Sequence, residues 1–102
     1  MILHECLNHW LRRYGESFRV GVQFYRGLFF QPPVGLLRWR FSTEQMDALS
    51  RPLWAIAVAP TVSLPDGTTL VWRGSDYRVL LSLEFRFDTT PVYRLMLVEP
   101  VV

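Results

Sequence analysis

The segment "HECLNH", residues 4–9, brings together His4, Cys6 and His9, side chains that bind zinc or, as a cysteine–histidine pair, generate a reactive thiolate. Their spacing argues against both uses. On a helix His4 and Cys6 point to different sides, no fourth ligand follows at finger-like spacing, and the chain has no CxxC pair. His9 stands three residues after Cys6 and could reach it, yet nothing supplies an orienting third group or an oxyanion site. The nine acidic residues are scattered, with no pair spaced for general acid and base work. Glu84 and Glu99 read instead as strand residues that pair Arg78, Arg86 or Arg94 across a sheet. Phosphate-cradling loops of the GxxxxGKS kind are missing, and "YRGLFF" and "WRGSDY" each carry one glycine. The expectation is a protein with no catalytic residue, no metal ligand and no cofactor, and hence no enzyme.

Arginine interleaved with aromatics is the remaining chemical signal, in "FRVGVQFYRG", "RWRF", "WRGSDYR" and "FRF". On a small barrel such residues can stack bases and hold phosphates. A stacking platform needs both types on one exposed face, whereas alternation puts them on opposite faces of residues 18–24 and 37–41. All eleven basic residues are arginine, which suits interfaces because its planar fork pairs carboxylates and stacks on rings; a base-composition bias toward arginine codons explains it as well. The net charge of +2 does not by itself imply a polyanion partner.

These residues sit on a chain of 102, the length of one domain, and 1–102 is read as a single unit. Half the residues are hydrophobic and only 20% are charged, more apolar than a small monomer needs, which points to partner subunits. The most apolar stretch, "LWAIAVAP", stops at Pro60 after about half the ~18 residues of a membrane span. No membrane association is expected. The leading residues carry their arginines late, the reverse of a secretory signal, and the lone Cys6 gives no reason to assume an oxidising compartment.

Leu3, Leu7, Trp10, Leu11 and Tyr14 recur at three and four residues, with Arg12, Arg13 and Gly15 at the end, which predicts an amphipathic helix over about 2–13. A β-rich body follows over about 17–99. Phe18, Val20, Val22 and Phe24 predict one half-buried strand, "QPPVG" an exposed loop, and "GLLRWRF" a further strand with Leu37, Trp39 and Phe41 on one face. Ser42 and Gln45 have capping-box spacing for a short connecting helix that ends before Pro52. In "LWAIAVA" the bulky Trp54, Ile56 and Val58 oppose Ala55, Ala57 and Ala59. Turns at "LPDGT", "GSD" and "FDTTP" bound the strands 69–73, 77–85 and 92–99. The fold class expected is mainly β: a small antiparallel barrel or sandwich with a short N-terminal helix and one short connecting helix. Tyr77, Val79, Leu81, Leu83 and Phe85 form an apolar face, and the last strand is apolar on both faces, so cover is required on both sides, part of it from neighbours.

The run "LPDGTTLVWRGSDYRVLLSLEF" followed by "VYRLMLVEP" resembles the head-closure or head–tail adaptor (connector, stopper) proteins of tailed bacteriophages. The residues that carry it are Trp72, Gly74, Tyr77 and Val79 of an aromatic–x–Gly–x–x–Tyr–x–Val hairpin, with Val92–Val98 as closing strand, about forty residues in all. The N-terminal helix and the "QPPVG" loop depart from the pattern. The resemblance implies a non-enzymatic virion protein, assembled in the host cytoplasm and placed in the neck as a hexameric or dodecameric ring. A portal or adaptor protein would lie above and a tail terminator or other tail protein below, and packaged DNA would pass without sequence-specific binding. Loop residues Phe29, Phe30, Gln31, Pro32, Pro33 and Val34, or the turn at Asp66 and Gly67, would reach the channel or the next ring. A tail-terminator or tube-like subunit and a small nucleic-acid-binding barrel are the alternatives.

Overall fold

The computed structural model describes residues 9–32, 34–48 and 52–101. Six antiparallel strands close into a barrel in the order β1-β2-β3-β6-β5-β4, where β1 is Glu16–Val20, β2 Gln23–Phe30, β3 Trp54–Val58, β4 Thr69–Trp72, β5 Ser75–Phe87 and β6 Thr90–Pro100. The seam between β1 and β4 is narrow, a single pairing of Arg19 with Val71. Helix α1 covers residues 9–14, α2 is Val34–Arg40 and α3 is Thr43–Ala48. Of the mainly β barrel or sandwich expected, the structure is the barrel, with three short helices among the described residues where an N-terminal and one connecting helix were expected.

Two apolar layers share the β3–β6–β5 wall. Phe18, Ile56, Val58, Leu70, Trp72, Val79, Met96 and Val98 fill the barrel interior. Leu37, Ala55, Ala57, Leu81, Leu95 and Leu97 form a second cluster on the outer face. The two faces expected of residues 54–58 and of the last strand are therefore both buried. Cover for the outer layer comes from the chain's own α2, through Leu37 and the adjoining Phe41.

That helix replaces the strand expected over "GLLRWRF". Leu37 and Phe41 stand four apart, and the Phe41 N–H donates to the Leu37 carbonyl at 2.8 Å, so the same residues that alternate also make one helical face. The apolar outer wall decides for the helix, because it rewards a stripe laid across it. The capping box appears as expected: the Ser42 N–H donates to Gln45 Oε1 at 2.9 Å and the Gln45 N–H to Ser42 Oγ at 3.2 Å. At the end of α1 the Gly15 N–H returns to the Leu11 carbonyl at 3.0 Å, and Arg26 of β2 donates to the Leu11 carbonyl at 3.2 Å and to that of Gly15. Residues 2–8 of the expected helix lie outside the described residues.

Three further boundaries differ from expectation. The strand expected through Val22 and Phe24 is broken at Gly21 (φ 60°), which opens a two-residue hairpin joining Val20 to Gln23 and leaves Val22 92% exposed. The turn expected at "GSD" centres one residue earlier on Arg73 (φ 51°) and Gly74 (φ 77°), the two positive angles a type I′ hairpin needs. In β5, Leu80 is an extra residue between Val79↔Val98 and Leu81↔Leu97. The bulge sends Val79 to the interior and Leu81 and Leu83 to the outer layer, so the single apolar face expected of Tyr77–Phe85 is divided between two layers.

Candidate interaction surface

Strand lengths create the site. β4 ends its pairing with β5 at Arg78, and β3 ends its pairing with β6 at Arg94, but β5 and β6 continue together to a tip at Asp88 and Thr89. Residues 85–93 therefore form an arm of two strands paired only with each other. The arm carries Phe85 stacked on Tyr93 (centroids 4.7 Å apart, planes 9° apart), and Phe87, 63% exposed. At its base Glu84 accepts from Arg94 Nη2 at 2.9 Å and from Arg86 Nε at 2.5 Å, while Arg94 Nε donates to the Pro60 carbonyl at 3.1 Å. These contacts tie the base of the arm to the segment that leaves β3. Arg78 pairs Glu99, which lies directly opposite it on β6. Of the partners expected across the sheet, Arg94 takes Glu84 and Arg78 takes Glu99 from the facing strand, whereas Arg86 reaches Glu84 along its own strand β5.

The resemblance-bearing residues have structural duties. Trp72 and Val79 are buried in the interior, Tyr77 packs against them, and Gly74 makes the turn. Trp72 stacks on Phe29 (3.9 Å, 6°), meets Trp54 edge-on at 5.0 Å and donates Nε1 to Glu16 Oε1 at 3.3 Å. Arg73 holds both Glu16 oxygens, at 2.8 and 2.9 Å, with its guanidinium 4.7 Å from the Trp72 ring centre. This set locks the start of β1 to the β4–β5 turn and so braces the narrow seam.

The expected channel loops are only partly loops. Phe29 and Phe30 belong to β2, with Phe29 turned inward onto Trp72, and Val34 opens α2. Gln31 and Pro32 connect them, and Pro33 lies outside the described residues. Pairing with β3 runs on through Phe29↔Ile56 and Phe30↔Ala55, so the strand takes both phenylalanines expected in the loop. Asp66 and Gly67 do form a turn: Gly67 has φ 88°, and the Thr68 N–H and Oγ1 both donate to the Pro65 carbonyl, at 3.1 and 2.7 Å. Antiparallel order places the two segments apart. β2 ends at the barrel end where β3 begins, whereas the connection carrying Asp66 and Gly67 leaves β3 at the opposite end, from which the arm projects.

One expectation about charge and rings changes. The hairpin at Gly21 resets the alternation, so Phe24 pairs directly with Arg19 and the two share the outer face, with Phe24 73% exposed. On α1, Trp10 and Tyr14 are also half exposed, with rings 4.8 Å apart and Arg13 over Tyr14 at 5.7 Å. Phe24 was expected on the buried face of its strand with Phe18, and Phe87 entered only within "FRF", so the sequence marked neither as an exposed surface ring. The signal for Phe87 is arithmetic: a strand of 13 residues beside one of four must overhang. Among the described residues no group of three His, Cys, Asp or Glu side chains gathers into a metal-binding cluster; His4 and Cys6 lie outside them. In comparisons with known proteins, no family model, curated protein or solved structure matches this chain.

Proposed function

We propose that the chain is a structural subunit of a tailed-phage neck, a head-closure or head–tail adaptor protein. It forms a ring of six or twelve copies between the portal or its adaptor and the tail, and it retains packaged DNA. The observation that carries this reading is the projecting arm 85–93, an aromatic-bearing hairpin held on the barrel and left unpaired by other strands among the described residues. Such an arm can reach a ring neighbour through a heterologous contact, and burying exposed rings against that neighbour supplies association energy. The aromatic–Gly–Tyr–Val hairpin adds the resemblance, although its residues serve folding. The closing action is steric: the Asp66–Gly67 turn and the arm, at one end of the barrel, meet the next ring or the channel, and the Gln31–Pro32 connection meets the layer at the other end. A tail-terminator or tube-like subunit would use the same surfaces with other neighbours.

The Arg19–Phe24 pair favours a second reading, a sequence-tolerant nucleic-acid-binding barrel, because it puts a ring and a guanidinium on one exposed face. The tagged chain, co-expressed with portal, adaptor and tail proteins and recovered for mass spectrometry, separates the two. Stoichiometric recovery of portal, adaptor or tail protein at moderate salt supports the neck reading. Recovery of nucleic acid alone, lost steeply between low and moderate salt, overturns it in favour of the second.

A further inference from the structure

β5 outruns its neighbour on one side. β4 pairs with Ser75–Arg78, and the turn after Pro65 covers Val79, whose carbonyl accepts from the Gly67 N–H at 2.7 Å and whose N–H donates to the Thr68 carbonyl at 2.9 Å. From Leu80 to Phe87 no backbone of another element pairs with that edge among the described residues, while β6 fills the other edge. An unpaired edge of this length recruits a strand unless it is blunted.

The sequence of the edge states which strand fits. Along "LEFRF", Glu84 and Arg86 lie on one face and Leu83, Phe85 and Phe87 on the other. Two copies set antiparallel about a two-fold axis at Phe85 put Glu84 of each copy opposite Arg86 of the other, and Leu83 opposite Phe87. Moving the axis to Glu84 or to Arg86 sets like charges against each other, which costs stability. The axis at Phe85 also runs the Phe85–Tyr93 stack of one copy into that of the other, so four rings cross the joint. We infer that the Leu83–Phe87 stretch of the open β5 edge is a self-docking edge, which joins a second copy of this chain as a two-fold dimer centred on Phe85. Such a contact closes at two copies. It describes the free subunit before ring neighbours compete for the arm, and it does not depend on the neck reading.

The test is sedimentation velocity on the full chain over a concentration series. The wild type forms a dimer. Arg86→Glu and Glu84→Arg each set like charges together twice and weaken it roughly tenfold or more, and an equimolar mixture of the two variants restores dimers because every opposing pair is again of opposite sign. Phe87→Asp, a change on an exposed ring, weakens it too and guards against any disturbance from losing the Glu84–Arg94 contact. A monomeric wild type, a dimer indifferent to Arg86→Glu, or a mixture no tighter than either variant overturns the inference. A wild type that sediments as a monomer yet joins a portal ring overturns it while leaving the neck reading intact; a dimer with the predicted pattern that never joins a portal supports it while the neck reading falls.

Discussion

Gly27 shows how closely the barrel interior is filled. A β-carbon there would run into Ile56 Cγ2 and stand 3.1 Å from Val58 Cγ1, so only hydrogen fits between β2 and β3. Gly27→Ala is expected to cost about 1–3 kcal/mol by overpacking, measured as a lowered urea midpoint at unchanged slope. Trp72 is the opposite case, a large ring with stacked, edge-on and hydrogen-bonded partners. Trp72→Ala is expected to cost roughly 3–5 kcal/mol, while Phe24→Ser, on an exposed ring, stays within about 0.5 kcal/mol. A Phe24→Ser variant as unstable as Trp72→Ala would mean that the outer face of β1–β2 is not the open surface described.

At the scale of elements, turns and helices respond to backbone chemistry. Gly74, at φ 77° with open space around it, is needed for its angle and not for its size; Gly74→Ala is expected to cost about 1 kcal/mol. Gly35, in α2 and also in open space, gives the contrary sign, and Gly35→Ala should stabilise by about 0.5 kcal/mol in the same denaturation experiment. Leu37→Asp should release α2 from the outer cluster, read as faster proteolysis between Phe30 and Trp54 with the strand signal in circular dichroism retained. Strands and hairpins were legible in advance because alternation and Gly or Asp turns report directly on the backbone, as at 54–58 and 65–68. The helix α2 was not, since Leu37, Trp39 and Phe41 alternate while Leu37 and Phe41 also make a helical stripe, and only the wall beneath distinguishes them. Nor was the Leu80 bulge, because one extra apolar residue among apolar neighbours leaves the pattern looking regular. Of the candidate site, the residues Phe29 and Phe30 were misplaced by the nearby prolines. The arm was readable only by comparing the lengths of two neighbouring strands.

The whole molecule is a closed barrel with an overhanging hairpin, and its dimensions carry that asymmetry. The described residues span 40 × 32 × 21 Å with a radius of gyration of 13.7 Å, a little above the roughly 13 Å of a compact chain this long. Exposed rings lie on the arm, on the outer face of β2 and on α1, so contact surface is distributed around the body and not gathered in one cleft. That distribution suits the proposed subunit with neighbours beside it and layers above and below, and it adds to the projecting arm on which the proposed neck role rests. The most direct test is electron microscopy of portal complexes purified from cells that co-express this chain with the portal, adaptor and tail proteins. The account predicts an added ring of this protein beneath the portal or its adaptor, lost when Phe85 and Phe87 are both replaced by serine. Portal particles with no added layer, while the chain stays folded and free in the same preparation, would contradict it.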